Sequence, residues 1–376
     1  MNNINSINIV SFDVPYPPDY GGVIDVYYKI KAFYDLGIDV YLHCFNYGKG
    51  ENVKLEKICK KVFYYKRNFN PMLLFSKNPF IVNSRKNKNL LNNLLSNNYP
   101  ILFEGLHCTH YINNTKLKER FKIVRMHNIE HDYYENLYNN EENILKKLYY
   151  KIESNKLFNY EKTLNNADLI LAISNNDFDY LNAKYKKTIN IGAFHPNEKI
   201  ESKEGLGSYV LYHGNLEINE NAKACIFLIK DIFNDIQDIP LIIAGKNPSK
   251  EIINLVKENK NIKLIKAPSS DEIYNLIKDA QINILPAFQS TGIKLKLLAG
   301  LFMGRWCIVN KPMVENTGLE NLCLVEDDAE KIKQLIKEYF TKPFKQENIS
   351  QRVLLLEDKF NNRINARKII DAIYCK

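Results

Sequence analysis

Short apolar runs alternate with amphipathic helical patterns along the whole chain, and this alternation restricts the fold more than any other feature. In a parallel sheet, helices cover both faces, and the strands therefore have continuous apolar sequences. The runs that we predict to be strands are residues 7–11, 40–45, 101–104, 122–126, 169–173, 209–212, 241–244, 262–266, 282–285 and 307–309. The sequence therefore predicts an α/β protein with parallel sheets.

The polar stretch GAFHPNEKIESKEGLGS, which follows Ile191, interrupts this alternation. Clusters of Gly, Pro and polar residues are typical of connecting segments, and a chain of 376 residues exceeds what one core usually holds. We therefore predict a first domain at residues 1–195, a second at 208–345, and a C-terminal helix within 346–376.

A strand, a Gly-containing turn and an amphipathic helix follow one another within residues 282–303. We predict that the helix starts at Gly292 and that Thr291 caps it. Its unpaired N–H groups and the positive end of its dipole would face an anion beyond the strand end, where Lys294 and Lys296 add full charges. The segment predicts a phosphate site, although an ordinary strand-turn-helix joint with solvated lysines has the same pattern.

The run GIKLKLL from Gly292, then Gly304, the strand WCIV and the triplet TGL at Thr317 resemble the donor-site segment of retaining GT-B glycosyltransferases of family four. The similarity is greatest to a branch of sugar transferases with a G-x-K-x-K-x-L-E-A pattern. The joints HGNLEINENAKA and AGKNPS and the glycine pair in FDVPYPPDYGG are also similar to loops of that family. The two glutamates of the family fall here on Thr291 and Ala299, which are not carboxylates.

This resemblance implies the GT-B fold, in which two Rossmann-like domains with parallel sheets face a central cleft and the final helix returns to the first domain. It implies a hexosyltransferase that moves a sugar, with retention, from a nucleotide-diphosphate sugar to a glycan or lipid-linked acceptor in cell-surface polysaccharide or glycoconjugate synthesis. Two other functions stay open, namely a catalytically silent sugar-nucleotide-binding partner subunit, which would explain the missing glutamates, and a nucleotide-sugar epimerase.

Site residues also follow from the resemblance. The donor would bind on the second domain and the acceptor on the first, with His127 close to the donor sugar. The implied donor-binding residues are Gly214, Asn215, Lys246, Thr291, Gly292, Ile293, Lys294 and Lys296; the acceptor-side residues are Gly21, Gly22, Glu104 and His107; and the catalytic residues are His127 and Lys296. No cofactor and no metal are expected, since N–H groups and ammonium groups can stabilise the leaving diphosphate.

Two short motifs admit a metal interpretation. The run HNIEH from His127 matches a zinc-peptidase pattern, but His127 ends a predicted strand and so cannot share a helix face with His131. Asp177 and Asp179 form a D-x-D pair, for which Ser174 and Asp177 as helix-capping residues are the favoured explanation. The chain has no G-x-G-x-x-G after a strand, which argues against a dinucleotide site.

The net charge of +9 is concentrated in residues 54–88, where Lys and Arg alternate with aromatic and apolar residues. This mixture suits an anionic membrane surface. It equally suits aromatic residues in a core with lysines in water, whereas nucleic acid is a distant third alternative and is not expected as a partner. Without a signal peptide or a long apolar run, we expect a cytoplasmic protein, with peripheral attachment to the inner face of the membrane left open. The scattered cysteines are expected to be reduced.

Overall fold

The computed structural model describes residues 6–46, 48–185, 187–288, 294–315 and 317–374. Its strands are β1 (Ser6–Ser11), β2 (Asp39–Asn46), β3 (Lys61–Lys66), β4 (Ile101–Glu104), β5 (Lys122–Arg125), β6 (Leu169–Ala172), β7 (Thr188–Asn190), β8 (Val210–His213), β9 (Leu241–Gly245), β10 (Ile262–Lys266), β11 (Ile282–Ile284), β12 (Trp306–Val309) and β13 (Leu324–Val325). Every ladder between neighbouring strands is parallel.

The α-helices lie between the strands and at the C-terminus. They are α1 (Gly21–Asp35), α2 (Val53–Ile58), α3 (Phe80–Asn83), α4 (Lys88–Leu95), α5 (Glu130–Asn140), α6 (Ile144–Tyr160), α7 (Asn175–Lys184), α8 (Asn219–Phe227), α9 (Lys250–Glu258), α10 (Ser270–Asp279), α11 (Leu295–Met303), α12 (Lys311–Val314), α13 (Ala329–Phe340), α14 (Gln346–Lys359) and α15 (Asn362–Tyr374). Strands and helices alternate along the chain, which confirms the α/β class predicted from the sequence.

The described residues form two compact units. One contains the residues up to Pro196 and those from Lys359 onward, and the other contains Asn197 to Asp358 apart from residues 289–293. We call them unit 1 and unit 2. None of the described helices combines the length and the apolar character needed to cross a bilayer.

The sheet of unit 1 has the order β3-β2-β1-β4-β5-β6-β7, and that of unit 2 has the order β10-β9-β8-β11-β12-β13. In each sheet the first strand of the unit lies in the interior, and the chain winds outward from it in both directions. All residues of β1, β4, β5, β6 and β8 are buried, because helices cover both faces of the sheet. In such sheets the ligand site lies beyond the carboxyl ends of the strands where the strand order reverses.

The strands β3, β7 and β13 are missing from the sequence prediction. They pair at the edges of the sheets; β3 and β7 carry polar or charged residues instead of a continuous apolar run, and β13 has only two residues. In β3 the Tyr65 ring is buried, and Phe63 stacks on His43 with 4.8 Å between ring centroids. The aromatic residues of this strand therefore belong to the core of unit 1.

Two helix predictions are wrong in detail. The helix expected from Gly292 begins at Leu295, because Lys294 has the non-helical angles φ −85° and ψ 52°. The single C-terminal helix is two helices, α14 and α15. The break lies at Phe360, whose carbonyl oxygen accepts from His195 Nε2 at 2.8 Å, and the Asn361 side chain accepts from the Ile364 N–H of the next helix. The six described cysteines form no disulfide among themselves.

Candidate functional site

A pocket of about 410 Å³ lies in unit 1, beyond the carboxyl ends of β1, β4 and β5. It is lined by Phe12, Asp13, Tyr20, Gly21, Gly22, Arg67, Arg85, His107, His127, Asn128, Glu130 and Tyr133. Four of the residues predicted from the sequence line it, namely Gly21, Gly22, His107 and His127. The pocket occupies the position that parallel α/β sheets use for ligands.

Gly22 makes a close contact at the start of α1. A Cβ atom there would lie 2.7 Å from Cζ of Phe12, so any other residue would force this ring to shift. The Phe12 ring in turn meets the His127 ring edge to face, with 5.4 Å between centroids. The glycine loop therefore lies against the Phe12 ring, and this ring contacts His127.

His127 presents one ring nitrogen to a buried carboxylate. Its Nε2 lies 3.0 Å from Oε2 of Glu104, whereas its Nδ1 has no hydrogen-bond partner among the described residues. An ionised carboxylate can only accept, so Nε2 carries a proton, and Nδ1 is the ring nitrogen left to accept a hydrogen bond. A nitrogen in this state is suited to receive a hydrogen bond from a bound hydroxyl group.

Glu104, which the resemblance places on the acceptor side, is fully buried beneath His127. Both of its oxygens accept from Lys29 Nζ, at 2.7 and 2.9 Å. Burial alone would raise the pKa of Glu104, but the charge of Lys29 and the hydrogen bond from His127 lower it overall. Glu104 can therefore act on a ligand only through His127.

A fully buried ion cluster supports this pair from below. Lys29 also donates to Asp25 at 2.9 Å, and Asp25 receives Nη2 of Arg125 at 2.9 Å and the backbone N–H of Phe194 at 2.8 Å. Burial opposes ionisation of Asp25, yet Arg125 and Lys29 hold its pKa well below the ordinary value. The two cations, Lys29 and Arg125, thus compensate the two carboxylates, Asp25 and Glu104. Buried charges require such partners.

Replacing Lys29 by methionine is expected to lower the free energy of unfolding by about 3 to 5 kcal/mol, because two buried carboxylates would lose their shared cation. The matched control is Lys31→Met on the same helix, whose side chain is 38% exposed and whose loss should change stability by no more than about 0.5 kcal/mol. Urea unfolding monitored by circular dichroism measures both values. Equal losses in the two variants would contradict the role given to Lys29.

Asp25, Glu104 and His127 also have the atoms of a metal site, with their ligand atoms within 4.8 Å of one another. Lys29 Nζ, however, lies 2.9 Å from Asp25 and 2.7 Å from Glu104 and supplies positive charge at this place. The ammonium group and the arginine already satisfy the carboxylates, so the cluster does not fit a resident ion.

A second buried pair lines the pocket. His107 Nε2 lies 3.7 Å from Oε2 of Glu130, and neither Oε1 of Glu130 nor Nδ1 of His107 has a hydrogen-bond partner among the described residues. Burial raises the pKa of Glu130 to about 8, and burial together with Arg85 holds the pKa of His107 well below its ordinary value. At neutral pH both groups are uncharged and have capacity for polar ligand groups.

The predicted donor loops of unit 2 meet one another beyond β8 and β9. A Cβ atom at Gly245 would lie 2.1 Å from the Gly214 carbonyl oxygen, which shows how closely the two loops pass. The Leu216 N–H donates to the Lys246 carbonyl at 3.0 Å and joins the loops through backbone. The structure thus brings Gly214, Asn215 and Lys246 together, with the Lys246 side chain exposed.

Lys296 lies beside the first of these loops. Its Nζ donates to Oδ1 of Asn221 at 2.8 Å, and the amide of Asn221 donates to the Asn215 carbonyl at 3.0 Å. Nζ is also 5.6 Å from the centroid of the Tyr212 ring. Burial lowers the pKa of Lys296 to about 8, with Glu220 acting in the opposite direction. A cation that is poorly solvated and held by one amide is well suited to an anionic ligand.

The other cationic residue of the motif differs from Lys296. Lys294 precedes α11 as its N-cap residue, and burial lowers its pKa while Glu220 raises it. Thr291, Gly292 and Ile293, which the resemblance places at the diphosphate, lie outside the described residues. Ala299, where the family has a glutamate, is buried within α11.

Both metal motifs have structural explanations. His127 precedes α5 and contacts Glu104, whereas His131 lies within α5 and contacts Glu161, at 3.2 Å. The two histidines therefore do not share a partner. The Ser174 hydroxyl accepts from the Asp177 N–H at 3.1 Å at the start of α7, which confirms the capping explanation.

Comparison with known proteins places this geometry in context. No protein-family model matches the sequence. A relative from Klebsiella pneumoniae is 29% identical over 353 residues, which are 88% of this chain and 90% of that protein, and it is described as an uncharacterized 44.6 kDa protein in the cps region.

Solved structures resemble the protein over nearly its whole length. A glycosyltransferase from Rickettsia africae is 16% identical, with 99% of this chain and all of the other covered and a TM-score of 0.66. TarM is 11% identical, with 99% of both chains covered and a TM-score of 0.71. The chain has the GT-B fold. HepE from Anabaena, solved in complex with UDP and glucose, resembles this GT-B protein at 10% identity, with 99% and 100% of the chains covered and a TM-score of 0.65.

The sequence analysis did not predict the buried ion cluster or the orientation of His127. Asp25, Lys29 and Arg125 carry signals that could have pointed to it: the first two are charged i,i+4 residues on the apolar face of α1, and Arg125 interrupts the apolar run of β5. Asn221 and Arg85 have no distinctive local signal, because their partners are distant in the sequence. Asn221 accepts from Lys296, and Arg85 donates to the Phe12 carbonyl.

Proposed function

We propose that this GT-B protein is a glycosyltransferase that moves a hexose from a nucleotide-diphosphate sugar to an acceptor, with retention of configuration. The observation that carries the proposal is the poorly solvated ammonium group of Lys296, fixed by Asn221 beside the Gly214 loop. This is the position at which a Rossmann-like unit would receive the diphosphate of a nucleotide. Solved structures of the same fold include HepE with UDP and glucose.

In this proposal Lys296 and N–H groups at the beginning of α11 take up the negative charge of the leaving diphosphate. That charge grows as the bond between the sugar and the phosphate breaks, so Lys296 stabilises the transition state more than the ground state. The sugar develops an oxocarbenium-like positive charge. His127, held by Glu104 through Nε2, accepts a hydrogen bond at Nδ1 from a hydroxyl of the sugar and thereby orients it.

The proposed cellular setting is the synthesis of a cell-surface polysaccharide or glycoconjugate on the cytoplasmic side of the membrane. The relative in a cps region supports the polysaccharide assignment. Attachment to an anionic membrane surface through residues 54–88 is part of the proposal. The structure assigns the aromatic residues of β3 to the core, so this attachment would depend on the residues that follow β3.

Donor binding and turnover are expected to be indifferent to EDTA, because lysine and N–H groups supply the charge stabilisation that a divalent ion supplies in other transferases. Nucleotide release from a productive donor, followed with and without EDTA and then with added manganese, measures this. Loss of binding in EDTA that manganese restores would overturn the metal-free mechanism.

Titration calorimetry with UDP, GDP and their sugars tests the proposal. We expect one nucleotide series to bind and the Lys296→Ala variant to bind it more weakly, while the Lys263→Ala variant, at an exposed lysine of β10 outside the proposed site, is the matched control. Absence of binding by every diphosphate nucleotide would contradict the assignment of the donor site.

The absence of glutamates at Thr291 and Ala299 favours a second candidate, a silent partner subunit that binds the sugar nucleotide without transferring the sugar. An epimerase of the same fold would convert the donor in the absence of any acceptor. Incubation with the donor alone separates the three candidates: a silent subunit leaves it intact, an epimerase changes the sugar or releases an epimerised sugar, and a transferase releases the unaltered sugar slowly to water.

A further inference from the structure

The pocket of unit 1 contains a guanidinium group that has no ionic partner among the described residues. Arg85 is 6% exposed and lines the pocket. Its Nη1 donates to the Ile81 carbonyl at 2.7 Å, and its Nη2 and Nε donate to the Phe12 carbonyl at 3.1 and 3.3 Å. No carboxylate of the described residues lies within ion-pair distance of it. Burial lowers the pKa of Arg85 to about 10, so it carries its charge at neutral pH.

The acidic side chains of the pocket do not supply the missing charge. Glu130 is protonated at neutral pH, since burial raises its pKa to about 8. Asp13 accepts from the Tyr20 hydroxyl at 2.9 Å and from the Val14 N–H at 2.8 Å, and it forms no ion pair with Arg85. A buried cation of this kind is compensated when an anion binds next to it.

A second guanidinium group joins the pocket to an exposed apolar segment. Arg67 lines the pocket, donates from Nε to the Ser84 hydroxyl at 2.8 Å, and lies over the Phe69 ring at 5.0 Å from its centroid. Beyond Phe69 the short 3-10 turn Pro71–Phe75 has no buried residue. Met72 is 68% exposed and Phe75 is 85% exposed.

Helix α6 extends this apolar surface. Nζ of Lys156 donates to the Leu74 carbonyl at 2.6 Å, which attaches the 3-10 turn to the helix. One helical face leads away from Lys156 through Ile152, Leu148 and Leu145, which are 44%, 57% and 79% exposed. Exposed apolar residues that cluster in this way mark an interaction surface.

Together these features identify the occupant of the pocket. We propose that the acceptor is a lipid-linked phosphate or diphosphate, whose phosphate binds to Arg85 and Arg67 while its lipid stays in a membrane that the 3-10 turn Pro71–Phe75 and α6 touch. The exposed residues Lys77, Lys86 and Lys88, which follow the turn in the sequence, provide charge complementarity to an anionic bilayer surface. This inference rests on the proposed transferase function and names its acceptor class.

Vesicle flotation tests the inference with three compositions: phosphatidylcholine alone, phosphatidylcholine with a long-chain prenyl diphosphate, and phosphatidylcholine with phosphatidylglycerol of equal total charge. We expect the prenyl diphosphate vesicles to bind the protein best. Arg67→Gln should weaken that binding about tenfold, the effect of one charge-assisted contact, and Lys66→Gln, its exposed neighbour, is the matched control. Phe75→Ser should reduce binding to every composition, because it removes apolar contact area.

Equal binding to phosphatidylglycerol and prenyl diphosphate would overturn the inference and leave general attraction to anionic headgroups. So would equal effects of Arg67→Gln and Lys66→Gln. Arg67→Gln is preferred to a change at Arg85, which holds Phe12 and Ile81 in place. Nucleotide binding measured by calorimetry in the same variants keeps the tests separate: loss of lipid selectivity with intact nucleotide binding refutes the acceptor class only.

Discussion

Replacing His127 by alanine is expected to lower kcat on the order of 10²-fold while the Kd of the nucleotide diphosphate stays nearly unchanged. The imidazole lies in the pocket of unit 1, whereas the proposed nucleotide contacts lie on the loops of unit 2. Only the orientation of the sugar therefore depends on it. Steady-state kinetics with a productive donor and acceptor, combined with calorimetry for the nucleotide, measures the two quantities separately.

The role of Glu104 in this prediction is to position the ring. Glu104→Gln should reduce kcat less than His127→Ala does, because the amide oxygen of glutamine can still accept from Nε2. Some loss is expected, since the amide NH₂ group can instead face the ring and change its orientation. The separation of kcat from KM supplies a second readout, since a turned ring should lower kcat while the KM of the donor stays nearly unchanged. A His127→Ala variant with normal kcat and much weaker nucleotide binding would place the residue at the nucleotide instead.

Replacing Lys296 by alanine is expected to weaken binding of the nucleotide diphosphate about tenfold to a hundredfold. A charge-assisted contact with phosphate contributes roughly 1.5 to 3 kcal/mol, and here the ammonium group is poorly solvated and held by Asn221. The loss in kcat/KM should exceed the loss in affinity, since the leaving diphosphate gains charge in the transition state. Calorimetry and steady-state kinetics on the same preparation provide both values.

Lys294→Ala is the comparison variant, because its residue lies outside the helix and should contribute less. The pH dependence gives an independent check. The pKa of Lys296 is lowered to about 8, so the ammonium form dominates below pH 8 and binding should weaken as the pH rises through that value. The affinity of the Lys296→Ala variant for the nucleotide diphosphate should not show this decrease near pH 8. If Lys294→Ala weakens binding and Lys296→Ala does not, the two roles are reversed.

The strands that form the centres of both sheets could be predicted from the sequence, because burial on both faces produces a local signal. The run around Val124 in β5 is such a case. The edge strand β3 could not, since Lys61 and Lys66 at its ends resemble a solvated segment. For the same reason, charge alone could not decide between the membrane and the core interpretations of residues 54–88, whereas the structure assigns Tyr65 to the core and leaves Phe75 exposed.

The positions of Gly22, His107 and His127 at one pocket follow from a rule about strand ends, so the sequence could predict them. Their chemical state could not be predicted. The orientation of the His127 ring depends on Glu104, which depends on Lys29, and these contacts span 23 and 75 positions of the chain. Long-range pairing of buried charges has no local signature beyond a charged residue at an apolar position. The start of α11 was predicted too early, because Lys294 has non-helical backbone angles that its residue type does not signal.

The central claim, that this chain transfers a sugar with retention, is tested most directly by the anomeric configuration of the product. The donor identified by calorimetry, labelled with ¹³C at the anomeric carbon, is incubated with the protein and a prenyl diphosphate acceptor, and the product is followed by NMR. We predict release of the nucleotide diphosphate together with a product whose anomeric configuration is that of the donor. Inverted product, or a donor that stays intact although it binds, would contradict the claim.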